Sequence, residues 1–154
     1  MQKTATFIVL IVLVVAGVGS YFTTGGLDWY QTLVLPNWIP PTFVFSLVWT
    51  VLFVLAGLGV FEFWTKFIPR EIRFWFITTL LLSNAVLNML WSYLFFGQHM
   101  LGASTIVAGG LFLVTVIISF LTWSPARRVS VLFMPYACWV LFATYLSYTV
   151  WLLN

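Results

Sequence analysis

Apolar residues along this chain come in five long runs, each closed by a short cluster of polar, proline or glycine residues. The runs cover about residues 4–23, 42–65, 72–96, 101–123 and 130–153. A helix crossing the hydrocarbon core of a bilayer needs about 20 mostly apolar residues. In lipid, the backbone polar groups must be satisfied within the segment itself, which favours helices. The pattern therefore predicts an all-α membrane protein, a five-transmembrane-helix bundle forming one domain over residues 1–154. The first run, with Lys3 before it and Ala16-Gly17-Val18-Gly19-Ser20 near its end, resembles a secretory signal. Its length of about nineteen residues, from Thr4 to Phe22, exceeds a signal core of 7–15 and suits a span better.

The breaks between runs differ in chemistry. The first, 24–41, ends in WYQTLVLPNWIPP, with two tryptophans, a tyrosine and three prolines over 29–41. It is too rich in proline to span a membrane and too aromatic for an ordinary solvated loop. It is suited to lie across the mouth of an apolar hollow. The second break holds Lys66, Pro69, Arg70, Glu71 and Arg73; the third is Gly97-Gln98-His99; the fourth is Ser124 to Arg128. Pro41 and Pro125 are placed where a first helical turn tolerates a missing N–H. Pro135, inside the fifth run, removes a backbone bond and is expected to bend that helix.

Charge adds an orientation. Five spans put the N-terminus and the second and fourth breaks on one side, and that side holds all six basic residues: Lys3, Lys66, Arg70, Arg73, Arg127 and Arg128. Asp28 and His99 fall on the other. The positive-inside rule then predicts a cytoplasmic N-terminus, with the first loop and Asn154 outside. A bacterial cytoplasmic membrane is the expected location. Composition agrees: 63% of residues are hydrophobic and only 6% charged, against about 25% charged in soluble domains. Nine tryptophans and six tyrosines suit a chain with interfacial rings. The net charge of +3 forms no basic stripe, so nucleic acid is not an expected partner. The single cysteine, Cys138, allows no internal disulfide or cysteine cluster.

Polar groups within the spans narrow the chemistry. Asn84 and Asn88 lie one turn apart on the third span, and Trp91 and Phe95 continue the same face. The second span carries Phe45, Trp49 and Phe53 at steps of four; the fifth carries Trp139, Ala143 and Leu146, with Phe142 beside them. Asparagines in membranes also serve as interhelical links, and aromatic stripes also form core. Three stripes ending beneath one aromatic loop point to a pocket for a flat hydrophobic ligand. Glu62 and Lys66, four residues apart, predict an interfacial ion pair. Small residues at Ala16, Gly17, Gly19 and Ser20, at Ala56, Gly57 and Gly59, and at Ala103, Ser104, Ala108, Gly109 and Gly110 suit close packing within the bundle or a dimer interface, and the fourth span, with few polar side chains, is the candidate dimer surface. No nucleophile–base pair, phosphate loop, catalytic carboxylate pair or metal-ligand spacing is visible, and no cofactor or metal is expected.

The same residues carry a family resemblance. Trp29-Tyr30, Leu33, Pro36, Trp38, Pro40, Pro41 and Trp49, then Asn88-x-x-Trp91-x-x-x-Phe95-Phe96, then Pro135-Tyr136-x-x-Trp139 and Phe142-Ala143-Thr144-Tyr145-Leu146 together resemble the translocator protein family. This is the TspO/MBR or peripheral benzodiazepine receptor family, whose bacterial members are called tryptophan-rich sensory proteins. The resemblance implies a homodimeric five-helix protein that binds protoporphyrin IX or similar porphyrins, and isoquinoline carboxamide or benzodiazepine-type ligands, as a sensor, scavenger or transporter. By matching position the resemblance implies a site lined by Tyr30, Trp49, Phe53, Asn88, Trp91, Trp139, Ala143 and Leu146; the loop and the helix stripes add Trp29, Pro36, Trp38, Phe45, Asn84, Phe95 and Phe142 to the candidate set. An enzymatic alternative is light-dependent porphyrin degradation involving Trp49 and Trp139; a third is a structural membrane subunit without a ligand. Two departures stand out. Tyr148 is followed by no Lys or Arg, so no sterol site is expected. Leu35 occupies a position where many relatives carry a basic residue, which removes one ion partner for a porphyrin carboxylate.

Overall fold

The computed structural model describes residues 2–67 and 71–154; Pro69 and Arg70 of the second break lie outside the described residues. Among those described there are helices and no strand. Helix α1 runs Gln2–Gly25, a short α2 Leu27–Tyr30, α3 Thr42–Lys66, α4 Ile72–Ser92, α5 Leu101–Trp123 and α6 Arg127–Leu153. A π-helical turn, Tyr93–Gly97, extends α4. Five of these elements are long and apolar enough to cross a bilayer: α1, α3, α4 with its π-turn, α5 and α6. The five-helix bundle expected from the apolar runs is present. Two features differ from expectation. The first break contains helix α2, and Pro125 lies two residues before α6 rather than in its first turn; Pro41 is the residue immediately before α3.

The spans pack as a ring. Helix α1 lies against α3 and α4, α3 against α6, α6 against α5, and α5 against α4. The buried faces show why. On α5, Ser104, Ala108, Leu111, Thr115, Ile118 and Thr122 are buried, a strict alternation of four- and three-residue steps. On α6, Val129, Phe133, Tyr136, Val140, Leu146 and Val150 are among the buried side chains that answer them. Small and hydroxyl residues let backbones approach closely in lipid. The hydroxyls of Ser104, Thr115 and Thr122 donate to carbonyls of their own helix, at Leu101, Leu111 and Ile118, so they add no unmet polar group. Helix α6 continues through Pro135 without interruption. Gly59 of α3 allows the α3–α6 approach: a Cβ there would lie 2.8 Å from the Phe133 ring.

Two apolar clusters divide the ring along its length. The larger joins Leu52, Phe63, Phe74, Ile77, Ile118 and Phe133, with Trp49 and Trp139 at its edge. The smaller lies at the loop end around Phe95, Leu146 and Val150. At the opposite end Glu62 takes Lys66 at 2.8 Å and Arg128 at 3.9 Å, as the four-residue spacing predicted for Lys66. Arg73 donates to the Leu121 carbonyl at 2.6 Å, serving one of the free carbonyls at the end of α5.

Candidate ligand site beneath the first loop

The loop forms a roof, fastened at several points. Helix α2 places the Trp29 ring flat on His99, with centroids 4.0 Å apart, and edge-on to Phe95 at 5.7 Å. His99 itself adopts φ 59, the left-handed region, which histidine visits more readily than most residues. Tyr30 leans on Phe95 and Phe96 at 6.2 and 5.8 Å. Its partial burial pushes the phenol pKa above its ordinary value. Gly26 makes this seating possible, because a Cβ there would lie 2.7 Å from the Phe96 carbonyl oxygen. Pro36 is buried under the loop. Trp38, 42% exposed, stacks on Tyr145 at 5.5 Å and meets Phe142 edge-on at 6.1 Å. The side chain of Asn154 closes the far edge. It accepts from the Val34 amide at 2.9 Å and donates to the Val34 carbonyl at 3.0 Å.

Under this roof lies an aromatic layer. The π-helical turn adds a residue to the helix at Phe95 and Phe96, the two rings that meet the roof. Trp91 stacks on Phe95 at 5.3 Å and meets Phe96 edge-on at 5.9 Å. From the other side Phe45 of α3 meets Trp139 of α6 at 5.7 Å, and Trp139 lies 5.1 Å from Phe142. Leu146 is buried in this layer, and Ala143 is half-buried one turn from Trp139. The indole nitrogens of Trp91 and Trp139 are buried and lack an acceptor. Buried indole N–H groups normally find one. These two account for both buried nitrogens without a partner among the described residues; the remaining such atom is the Ser130 hydroxyl at the other end of α6.

A third layer lies deeper. Trp49 packs on Phe53 at 5.5 Å and on Tyr136 at 6.1 Å. Asn88 donates to the Tyr136 hydroxyl at 3.1 Å, and Asn84 donates to Thr115 at 2.8 Å. Both amides therefore link helices, α4 to α6 and α4 to α5. Both also line a cavity of about 430 Å³, together with Phe53 and Tyr136.

Most of the expected residues thus fall into three sets. Trp29, Tyr30, Phe45, Trp91, Phe95, Phe142 and Leu146 form one cluster at the loop end. Phe53, Asn84 and Asn88 face the deeper cavity, which none of the other expected residues lines. Trp49 and Trp139 stand at the edge of the central core. Several participants lie outside the set chosen from the sequence, His99 and Phe96 beneath the roof among them. Tyr136 and Thr115 are the amide partners, Tyr145 is the platform for Trp38, and Asn154 holds the roof. Tyr136 was discoverable, being one turn before Trp139. The others carry no periodic signal.

The sequence profile of the TspO/MBR family matches residues 7–152. The chain is 36% identical to the tryptophan-rich protein TspO of Chlorobaculum tepidum, covering 92% of this chain and 90% of that one. It is 32% identical to the protein of the same name from Archaeoglobus fulgidus, covering 95% and 94%. It is 31% identical to the human translocator protein, covering 87% and 80%. On these matches the chain, with its five apolar spans, belongs to the TspO/MBR family, as an integral membrane protein.

Proposed function

We propose that this protein binds a flat hydrophobic tetrapyrrole, of the protoporphyrin IX type, against the aromatic layer beneath the first loop, acting as a sensor, scavenger or transporter. The observation that carries this reading is the pair of buried indole N–H groups on Trp91 and Trp139, one on α4 and one on α6, with no acceptor. A ligand oxygen or nitrogen reaching them would supply the missing partners, and the rings around them would stack on a planar macrocycle. Trp29, Tyr30, Pro36 and Trp38 cover such a ligand, and Trp49 and Ala143 flank it. The layer is filled by its own side chains, so entry requires the roof to lift and Trp91 or Trp139 to turn. The name translocator protein, borne by the human relative, fits a carrier. The same reading places the basic end in the cytoplasm of a bacterial cell and the roof outside, with a homodimer formed through α5. On that helix Ile106, Leu113 and Phe120 are strongly exposed and Gly110 has open space at its Cβ position.

Titrating the purified protein with protoporphyrin IX tests the reading. Saturable quenching of tryptophan emission is the expected result. A strictly linear response, equal to that of a tryptophan-matched unrelated membrane protein, contradicts it.

A further inference from the structure

The cavity of about 430 Å³ belongs to the half of the bundle away from the roof. Helix α1 walls it from Lys3 to Val15, α3 from Phe53 to Trp64, and α4 from Thr78 to Asn88. It is therefore a slot parallel to the helices. From Lys3 to Val15 the α1 wall makes twelve rises of 1.5 Å, so the slot is about 18 Å long.

The ends of the slot differ. At one end Lys3 is the only charged side chain on the wall among the described residues. The ion pairs among the described residues use Glu62 with Lys66 and Arg128, and Lys3 takes part in neither. At the other end Asn84 and Asn88 each direct one N–H to Thr115 and Tyr136 respectively. A methyl terminus arriving there breaks no hydrogen bond. Between the ends the wall is apolar, with Phe7, Ile11, Phe53 and Val60.

We propose that this slot holds a single-chain anionic amphiphile of the fatty-acid class, with its carboxylate at Lys3 and its chain running along α1 towards Tyr136. The unpaired cation selects the charge, and the length of the slot selects a long chain. The site is separate from the aromatic layer, since neither Trp91 nor Trp139 lines it.

Binding of radiolabelled hexadecanoate to the full chain in neutral detergent tests this. The wild type should bind one equivalent saturably. Lys3→Glu should bind about tenfold more weakly and Lys3→Arg as well as wild type, while uncharged hexadecan-1-ol should not distinguish the three. Lys3 is exposed, so these variants keep the fold. Ala85→Trp, which places a ring in the slot, should abolish binding; unchanged porphyrin quenching in that variant shows that it is folded. Equal hexadecanoate binding by wild type and Lys3→Glu overturns the proposal. So does displacement of hexadecanoate by equimolar two-chain phosphatidylglycerol, which would mean that the surface reads charge alone.

Discussion

The Asn154 side chain grips both backbone polar groups of Val34, accepting from its N–H at 2.9 Å and donating to its C=O at 3.0 Å. It also donates to the Val150 carbonyl at 2.8 Å, so the end of α6 and the middle of the roof move as one piece. Replacing Asn154 with Ala removes the latch and leaves the stacked rings in place. A typical net hydrogen bond is worth about 1 kcal/mol. Amides over 31–35 should then exchange with deuterium severalfold faster, while those of α5 are unchanged. Unaltered exchange over the loop would show that the rings alone hold it.

Gly26 lets the roof sit on the π-helical turn, because any Cβ there meets the Phe96 carbonyl oxygen at 2.7 Å. Gly26→Ala should push α2 away from Phe96 and weaken the Tyr30–Phe96 contact. The expected readouts are a lowered unfolding temperature and faster porphyrin association. Gly25→Ala, one residue earlier, has open space and should do neither.

Asn88 and Tyr136 form one bond between α4 and α6. Asn88→Ala and Tyr136→Phe should each destabilise the protein by about 0.6–2 kcal/mol. The double variant should cost little more than either single one, because contacting residues are not additive. Additive losses, measured by unfolding in mixed micelles, would mean that the two side chains act apart.

Trp139 and Trp49 occupy different depths. Trp139 touches Phe45 and Phe142 in the layer under the roof, whereas Trp49 packs on Phe53 and Tyr136 below it. If bound porphyrin is broken down in light, the nearer indole should matter more. Trp139→Phe should slow bleaching of bound protoporphyrin IX severalfold, and Trp49→Phe should slow it less. The reverse order would place the macrocycle in the deeper layer.

Much of the fold was legible because a membrane imposes length and satisfaction rules on every span. The predicted ends at 42, 72, 101 and 123 coincide with Thr42, Ile72, Leu101 and Trp123, and the Glu62–Lys66 pair followed from helical spacing. Helix α2 escaped because four residues are too few to show a period. The π-turn escaped because an extra residue in one turn leaves no mark on a sequence already rich in Phe and Tyr. The residues of the stripes on the second, third and fifth spans are buried or half-buried. Their separation into a filled aromatic layer and a deeper cavity was not visible, since it depends on how ring volumes fill the ring of helices. Asn154 was hidden for another reason: its partner is a backbone amide 120 positions away, and backbone carries no sequence signal.

The most direct measurement compares protoporphyrin IX affinity in wild type, Trp91→Phe, Trp139→Phe and the double variant. Phenylalanine keeps a ring and removes the N–H. Hydrogen bonds to charged groups contribute about 1.5–3 kcal/mol, so each single variant should bind about tenfold or more weakly, and the double variant weaker still, with unfolding temperatures unchanged or higher because a buried unpaired donor is gone. Wild-type affinity in the double variant would contradict the account.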